Sequence, residues 1–473
     1  MTTNVLILAA GNGKRLIDSK PKPLYQLLGL PLLTRTLLSF EEAKFTDAYI
    51  VLGYEADTIK ESIEKNHRFK IKRHWLKNES WHKENGISVL SAEDVLDGPF
   101  VLAMCDHIFD PDIISTLQQG SYNPQGIKLL VDYDLQGIFD ENDATKVKVS
   151  HGRILKIHKN LLDYNAVDTG FFLANPSLFQ AIKQAGIGHK WSLSDGVQKL
   201  ADKGLVEAVD IKRRMWHDVD TQKEARNAEK KIMASLGKPD DGPVARVLNR
   251  PLSKALSRFL VKTGIGPNLV TLFNLVLGLA AAFTASFGGY FPFLTAAVLF
   301  QLNSIIDGTD GELARLKFQV SRSGQWFDTI ADNIVYIALL LGIALGIKKA
   351  SLPMFFFHLG IGGVLFGIAA ALSLYVYLLR TKKSGSLLEV KYGYEHWNSR
   401  LSRMIYYLGK RDIWAAGLLL LALTGWIHLA TFYFFFYIFG LFLISLKFHF
   451  PVPKKSSLKR DEKSLSPSID PVP

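Results

Sequence analysis

The stretch "IIDGTDGELARLKFQVSRSGQWFDTIADN", residues 305–333, places charged side chains directly beside long apolar runs. Its four aspartates are Asp307, Asp310, Asp328 and Asp332. The flanking residues 263–306 and 333–347 contain no Asp, Glu, Lys or Arg. An uncharged apolar run of about 20 residues can cross a bilayer as a helix, and ionisable groups at such a place are costly and usually functional. The sequence therefore predicts a charged functional site at a membrane boundary.

The spacing of the four aspartates predicts one cluster. Asp307 and Asp310 are three residues apart, which places them on one face of a helix. Asp328 and Asp332 are four residues apart and share a face of the following helix in the same way. Acidic helix caps would account for one or two of these residues, but not for four at helical spacing. Four carboxylates need cations, and hard divalent ions are the natural choice, so we expect Mg²⁺, with Mn²⁺ as the alternative.

Six transmembrane helices are predicted, because residues 350–379 and 413–446 also lack Asp, Glu, Lys and Arg. The predicted spans are about 268–288, 292–314, 326–347, 353–379, 413–428 and 430–446. Lys and Arg cluster before the first span, between spans two and three, between four and five, and after the sixth. The sequence therefore predicts an integral, multi-pass protein of the cell membrane with both termini in the cytoplasm. Anionic lipid explains the net charge of +12, so no nucleic-acid partner is expected.

The first half of the chain, to about residue 240, has the composition of a soluble α/β domain. It begins with "NVLILAAGNGKRL", residues 4–16. The apolar run predicts a buried strand, and Gly11 and Gly13 after it let the backbone approach a phosphate closely. Lys22 follows this loop and can supply a point charge for a polyphosphate. A Gly-x-Gly loop alone is weak evidence, since many such loops are plain turns between a strand and a helix.

This half resembles the sugar-phosphate nucleotidyltransferases. Their signature, Leu-Ala-Ala-Gly-x-Gly-x-Arg-Leu followed by Lys-Pro-Leu, matches residues 8–16 and 22–24. The segments "ENGISVL", "MCDHIF", "DATKV", "AVDTGFF" and "WHDVDT" match as well. The resemblance implies an α/β nucleotidyltransferase fold with a Rossmann-like mixed sheet. It also implies that an alcohol phosphate attacks a nucleoside triphosphate, with Mg²⁺ neutralising the phosphates.

The same resemblance implies roles for residues of the first half. Arg15 and Lys22 are implied as catalytic residues, and Asp106 and Asp218 as metal ligands. The implied nucleotide-binding residues are Leu8, Ala9, Ala10, Gly11, Gly13, Lys22, Asn85, Gly86 and Ser88. The implied residues for the phosphorylated alcohol are Lys146, Asp168 and Gly170.

The second half resembles the CDP-alcohol phosphotransferases. The matching pattern is Asp307-x-x-Asp310-Gly311-x-x-Ala314-Arg315, eight residues, then Gly324-x-x-x-Asp328-x-x-x-Asp332. The segment "RPLSKALSRFLVKTGIGPNLVT" resembles that family's interfacial helix and the start of its first span. The resemblance implies an all-α transmembrane domain in which all four aspartates hold divalent metals. Asp332 is implied as the base that deprotonates the acceptor hydroxyl. The implied donor-binding residues are Asp307, Asp310, Gly311, Ala314, Arg315 and Gly324.

The expected domain organisation follows from these two resemblances. A cytidylyltransferase domain is expected at 1–236 and a linker at 237–243. The membrane domain is expected at 244–450, with an interfacial helix at 244–262 and six transmembrane helices at about 268–446. The tail, 451–473, is rich in Ser, Pro and charge and is expected to be disordered.

The fusion of the two halves predicts the substrates. By the two resemblances, the first half makes a nucleotide-linked alcohol and the second half uses a CDP-linked alcohol. If the first half supplies the second, its nucleotide substrate is CTP. The whole chain resembles the bifunctional inositol-1-phosphate cytidylyltransferase/di-myo-inositol-phosphate-phosphate synthases. That likeness implies that CTP and inositol 1-phosphate give CDP-inositol, whose phosphoinositol group passes to a second inositol 1-phosphate. Two alternatives stay open: a phospholipid-type acceptor in the bilayer, and a membrane sensor without activity. A homodimer through the membrane domain is also open.

Overall fold

The computed structural model describes residues 2–13, 15–16, 20–66, 68–120, 123–137, 144–186, 191–237, 241–381 and 406–449. The expected disordered tail and parts of the expected linker and membrane domain (238–240, 382–405 and residue 450) therefore lie outside the described residues. Two compact units are distinguished by their internal contacts. One comprises Met1–Asp240, Lys254–Ile265 and Glu312–Gln319, and the other comprises Asp241–Ser253, Gly266–Gly311 and Val320–Pro473.

The first unit is built on a mixed sheet. Its strands are β1 Asn4–Ala9, β2 Gln26–Leu27, β3 Leu30–Pro31, β4 Asp47–Leu52, β5 Lys72–Lys77, β6 Phe100–Met104, β7 His107–Phe109, β8 Ile127–Asp132, β9 Lys146–Ser150, β10 Arg153–His158, β11 Ala166–Ala174, β12 Val206–Asp210 and β13 Trp216–Asp218. Nine of them form one sheet in the order β5-β4-β1-β6-β11-β8-β12-β10-β9. Strand β1 runs parallel to β4 and β6, whereas β11 runs antiparallel to β6 and β8. The α/β prediction is therefore confirmed.

Helices cover this sheet. They are α1 Leu32–Glu42, α2 Ala56–Glu64, α3 Asn85–Leu90, α4 Asp112–Leu117, α5 Ser177–Gly186, α6 Leu193–Ala201 and α7 Gln222–Ser235. Successive side chains of β1 point to opposite faces of the sheet. Leu6 and Leu8 accordingly pack in one apolar cluster, and Val5, Ile7 and Ala9 pack in another. Because both faces are covered, the strand reads as a continuous apolar run rather than an alternating one.

The described residues of the second half of the chain are mostly helical. A π-helical turn, Ala245–Asn249, leads into α8 Arg250–Leu260. The helices that follow are α9 Pro267–Ala285, α10 Tyr290–Leu316, α11 Arg322–Lys349, α12 Met354–Arg380, α13 Arg411–Leu423 and α14 Leu429–His449. Gly288 and Gly289 lie between α9 and α10 with φ of +68° and +86°, a conformation that favours glycine. They produce the break predicted inside the 263–306 run.

Five helices of the described residues are long and apolar enough to cross a membrane, namely α9, α10, α11, α12 and α14. Helix α13, which covers most of the predicted fifth span, has only 13 residues. Its length of about 20 Å is short of the roughly 30 Å of a hydrocarbon core. The prediction of a helical second half with candidate membrane spans is therefore confirmed, and five long apolar helices, rather than the predicted six, are found among the described residues.

The segment that begins the predicted interfacial helix exposes apolar side chains. Val247 is 81% exposed, and Leu252 and Phe259 are also exposed. The polar residues Asn249 and Ser253 are buried instead. An outward apolar face of this kind suits a helix that lies against lipid.

Two candidate active sites

The first candidate site lies where β1 and β6 end. These strands are parallel neighbours, so the loop after β1 and Asp106 after β6 meet at one edge of the sheet. Strand β13 pairs antiparallel with β7, which places Asp218 opposite His107. The edge surrounds a cavity of about 850 Å³. Its lining includes Arg15, Asn85, Asp106, His107, Asp168, Gly170, Asp218 and Asp220.

Lys22 lies buried between two carboxylates of this site. Its Nζ donates to Asp106 and to Asp220, and Arg15 donates to Asp220 as well. Burial would lower the pKa of Lys22, but the charges of Asp106, Asp218 and Asp220 outweigh it and raise that pKa well above its usual value. Lys22 therefore stays charged. Gly13 has φ +57°, and a Cβ on it would collide with the Lys22 side chain, so the glycine lets loop and lysine approach.

Asp106, His107 and Asp218 form a group that could hold a metal ion, because their ligand atoms lie within 4.8 Å of one another. Asp106 Oδ1 is 2.8 Å from His107 Nδ1. Burial would raise the pKa of Asp106, but Lys22 and His107 hold it well below its usual range. Burial would lower the pKa of His107, but Asp218 and Asp106 raise it to about 9.

Asp218 is the least satisfied member of this group. Its Oδ1 is buried and has no hydrogen-bond partner among the described residues. Burial, together with the charge of Asp106, raises the pKa of Asp218 to about 7, against the opposing charges of His107 and Lys22. A cation bound by Asp106 and Asp218 would satisfy this oxygen, so the donor set fits Mg²⁺. The matching segment "MCDHIF" contains both Asp106 and His107, but the resemblance implied a metal-binding role only for Asp106 and Asp218.

Asp168 and Gly170 lie beside the cavity on a bulged part of β11. Asp168 Oδ1 accepts from the Gly170 N–H at 2.7 Å. Gly170 has φ +76°, and a Cβ there would meet the His107 ring. Burial raises the pKa of Asp168 to about 6, despite the Gly170 N–H and the charge of His107. Lys146 is not among the lining residues, and its Nζ lies 5.4 Å from the centre of the Tyr164 ring.

Several predicted nucleotide-binding residues are packed in the protein interior. Leu8, Ala9 and Ala10 are buried at the end of β1. In α3, Asn85 lines the cavity and its Oδ1 accepts from the Leu193 N–H at 3.0 Å. The next two predicted positions, Gly86 and Ser88, are buried. A Cβ on Gly86 would meet the carbonyl of Trp191, and Ser88 Oγ accepts from Asn78 at 2.9 Å. A Cβ added to Gly11 would meet no atom of the described residues within 4 Å.

The second candidate site joins α10 and α11. Ligand atoms of Asp307, Asp328 and Asp332 lie within 4.8 Å of one another. Asp310 is outside this group and is bonded elsewhere, because it accepts from Thr271 Oγ1 at 2.6 Å and from the Gly311 N–H at 2.5 Å. Carboxylate oxygens are the ligands that Mg²⁺ and Mn²⁺ prefer, so three of the four aspartates are brought together as a fitting donor set.

Arg411, at the start of α13, is a further residue of this site for which the sequence predicted no role. Its Nη1 donates to Asp307 and Asp332, and its Nη2 donates to Asn303 Oδ1. The guanidinium carbon lies 5.4 Å from the centre of the Tyr336 ring. In the sequence, Arg411 belongs to the basic residues between predicted spans four and five and to the segment "GKRDIW", which fits the resemblance to the bifunctional enzymes, but neither observation gave it a role. Its position two residues before the uncharged run 413–446 was the signal that the sequence offered.

The remaining predicted donor-binding residues have other contacts. Ala314 and Arg315 belong to the first unit, where Arg315 Nη2 donates to the Leu236 carbonyl at 3.1 Å. The Gly324 N–H donates to Ser321 Oγ at 3.1 Å, which caps the start of α11.

Comparisons with known proteins agree with this division. A sequence model of the MobA-like NTP transferase domain matches residues 5–134. A model of the CDP-alcohol phosphatidyltransferase family matches residues 265–444. The chain is therefore an enzyme that joins a nucleotidyltransferase to a CDP-alcohol phosphotransferase.

Two relatives are similar over most of the chain, and both are called bifunctional IPC transferase and DIPP synthase. The Aquifex aeolicus protein is 30% identical over 432 residues, which cover 90% of this chain and 93% of the relative. The Archaeoglobus fulgidus protein is 34% identical over 355 residues, which cover 74% of this chain and 68% of that relative. The chain belongs to the family of bifunctional IPC transferases and DIPP synthases, as its sequence predicts. Among solved structures, the inositol-1-phosphate CTP transferase from T. maritima is similar at 23% identity and a TM-score of 0.44, covering 49% of this chain and 96% of that one.

Proposed function

We propose that the chain makes CDP-inositol and pyrophosphate from CTP and inositol 1-phosphate, and then transfers phosphoinositol from CDP-inositol to a second inositol 1-phosphate. The second reaction gives a phosphorylated di-inositol phosphodiester and CMP. The observation that supports this most directly is the presence of two carboxylate-rich sites in one chain, one in each enzyme domain. The product of the first activity is then the donor of the second.

In the first site, Asp106 and Asp218 would hold Mg²⁺. When bound there, the cation supplies charge neutralisation for the triphosphate. Lys22 orients Asp106 through its buried salt bridge, and Arg15 faces the cavity, where it can meet phosphate oxygens. An oxygen of the inositol phosphate attacks the α-phosphorus of CTP, and the bond to the β-phosphate breaks as pyrophosphate leaves. Asp168, with Gly170 beside it, is placed to accept hydrogen bonds from the polyol.

In the second site, the four aspartates would hold Mg²⁺ or Mn²⁺. Divalent cations bound there neutralise the donor's diphosphate. A hydroxyl of the acceptor attacks the phosphorus that carries inositol, the bond to CMP breaks, and Asp332 takes the hydroxyl proton. Gly311, Ala314, Arg315 and Gly324 are proposed for the donor. A general base must lie within reach of the proton that it removes, and the resemblance of the aspartate pattern to the CDP-alcohol phosphotransferases supports Asp332 in that role.

The proposed protein crosses the cell membrane six times, and α13 is its fifth and shortest span. Both termini are proposed to lie in the cytoplasm. Basic segments on one side of the apolar runs support this orientation. The proposed domain limits are 1–236 for the cytidylyltransferase, 237–243 for the linker and 244–450 for the membrane domain. We also propose that two copies of the chain form a homodimer through the membrane domain. Cross-linking of the protein in membranes would test this.

Product analysis tests the function. Membranes that contain the protein are incubated with CTP, labelled inositol 1-phosphate and Mg²⁺, and the label is partitioned between water and organic solvent. We expect label in CDP-inositol and then in a water-soluble phosphodiester. Label in the organic phase would replace the soluble acceptor with a lipid one. Failure to form any CDP-linked product, or a preference for UTP or GTP, would overturn the first step.

A further inference from the structure

The Arg411 guanidinium makes direct contacts inside the second site. Its Nη1 donates to Oδ1 of Asp307 and to Oδ1 of Asp332, and its Nη2 donates to Asn303. The side chain is only 10% exposed. Its Nε is buried without a hydrogen-bond partner among the described residues. A guanidinium has five N–H donors, so these contacts leave part of its bonding capacity unused.

The backbone on either side of Arg411 is held in place. The next residue, Asp412, is buried, and its Oδ2 accepts from the Ala245 N–H at 2.7 Å. Trp414, one turn further along α13, donates from its indole nitrogen to the Leu408 carbonyl at 2.7 Å. The guanidinium can therefore leave the carboxylates by rotation of its long side chain, without movement of the helix.

Arg411 contacts two of the three carboxylates whose oxygens could hold a divalent cation, Asp307 and Asp332. Mg²⁺ binds carboxylate oxygens at about 2.0–2.1 Å, where an N–H group bonded to the same oxygen would be driven away by like charge. We infer that Arg411 is a displaceable counter-cation: a divalent cation binds Asp307 and Asp332 only when the guanidinium leaves them. Arg411 thus sets the affinity of the site for metal. This inference rests on the proposed function of those aspartates.

A permanent structural salt bridge is the competing explanation, and metal binding separates the two. Full-length protein in lipid nanodiscs, carrying Asp106→Asn to suppress the first site, is titrated with Mn²⁺ while free Mn²⁺ is followed by electron paramagnetic resonance. Arg411→Gln should bind Mn²⁺ about tenfold more tightly, the scale of one charge-assisted hydrogen bond. Lys410→Gln removes the same charge from the neighbouring residue and should leave the affinity unchanged. Affinity no higher in Arg411→Gln than in Lys410→Gln overturns the inference.

The native protein provides a second test that needs no variant. Phenylglyoxal modifies accessible guanidinium groups, and mass spectrometry reports each site. Labelling of Arg411 should rise several-fold when Mn²⁺ is added. Labelling of Arg250, whose guanidinium is paired with Asp241 at 2.7 Å, should stay constant. Arg411 labelling that does not respond to Mn²⁺ overturns the inference.

If Arg411→Gln does not bind Mn²⁺ more tightly, the variant Asp328→Asn shows whether the role of Arg411 or the metal site itself is wrong. This variant should lose Mn²⁺ binding, because Asp328 belongs to the same carboxylate group. Loss of binding in Asp328→Asn with no gain in Arg411→Gln would remove only the role of Arg411. Unchanged binding in Asp328→Asn would remove the metal site itself, and the inference with it.

Discussion

A lysine lies against the carboxylates of the first site, and an arginine lies against those of the second. Lys22 contacts Asp106, and Arg411 contacts both Asp307 and Asp332. A buried carboxylate without a counter-charge costs several kcal/mol, so each cluster needs a cation of its own. The two cations differ in form, since an ammonium is a compact point charge whereas a guanidinium is a planar fork that can serve two carboxylates. They also differ in position, because Lys22 follows the glycine loop after β1 whereas Arg411 begins the helix α13. Both lie far in sequence from the carboxylates that they contact, with 84 residues between Lys22 and Asp106 and 79 between Arg411 and Asp332.

Loss of the base in the second site should have the largest effect. Asp332→Asn keeps the shape of the side chain and an oxygen that can face a metal, but it cannot accept a proton. We expect transfer from CDP-inositol to fall by roughly 10²–10⁴, the contribution typical of general-base catalysis. Binding of CDP-inositol in the presence of Mg²⁺, measured by calorimetry, should remain.

Asp310→Ala is the contrasting variant for that experiment. We expect it to lose donor binding together with turnover, because it removes a proposed ligand rather than the base. Formation of CDP-inositol from CTP should be unchanged in both variants. Near-normal transfer by Asp332→Asn would remove the base assignment, and equal loss of donor binding in both variants would make Asp332 a ligand alone.

The next largest effect should come from the first site. Asp106→Asn removes a carboxylate that holds the proposed metal and pairs with Lys22. We expect CDP-inositol formation to fall by about 10²–10³, the scale of losing one preorganised electrostatic group. Use of supplied CDP-inositol should be unaffected. Asp163→Asn, which changes an exposed aspartate of the same domain, is the control. If Asp106→Asn also failed with supplied CDP-inositol, the two sites would not be independent.

Elements that depend on local sequence could be predicted. The strand β1 and the break at Gly288 follow from the apolar run and from the conformational freedom of glycine. The meeting of Asp307 with Asp328 and Asp332 follows from helical spacing and from the short connection between α10 and α11. In each case the deciding residues are close together in the chain.

Long-range contacts could not be predicted in the same way. Arg411 joins the second site through the packing of α13, which helical spacing around residues 305–333 does not contain. Asp310 shares a helix face with Asp307, yet Thr271 draws its carboxylate into another hydrogen bond. His107 received no role from the resemblance, because the pairing of β7 with β13 that brings it to Asp218 joins segments far apart in the chain.

Asp168 lacks the close cationic partner that Asp106 has in Lys22, so its ionisation should destabilise the folded protein, whereas ionisation of Asp106 should stabilise it. Asp168 has a pKa raised to about 6 from its usual value of 3.8, chiefly by burial. As pH rises between these values, the unfolded chain loses the proton while the folded chain keeps it, so the folded state becomes less stable. Asp168→Asn cannot ionise. We expect it to stabilise the first unit by about 1–3 kcal/mol at pH 8 and not at pH 4.

Hydrogen–deuterium exchange of β11 measures this, since Asp168 lies within that strand. Slower exchange in Asp168→Asn at pH 8, corrected for the intrinsic rate, is the expected result. Equal protection in the variant and the native protein at pH 8 would show that the buried carboxylate is compensated by groups other than the Gly170 N–H.

The smallest effect should come from the cap that begins α11. Ser321 Oγ accepts from the Gly324 N–H at 3.1 Å, and Asp328 follows one to two turns later. Removing a serine cap costs about 1 kcal/mol, so Ser321→Ala should speed amide exchange in the first turn of α11 by about fivefold. Ser321→Asp keeps an acceptor at a helix N-terminus and should restore the native rate. The affinity for Mn²⁺ should change little, because Asp328 and Asp332 lie beyond the first turn of α11 and Asp307 lies on α10. If Ser321→Ala instead weakened Mn²⁺ binding as much as the loss of an aspartate, local sequence at the start of α11 would control the second site, and the long-range contact of Arg411 would be secondary.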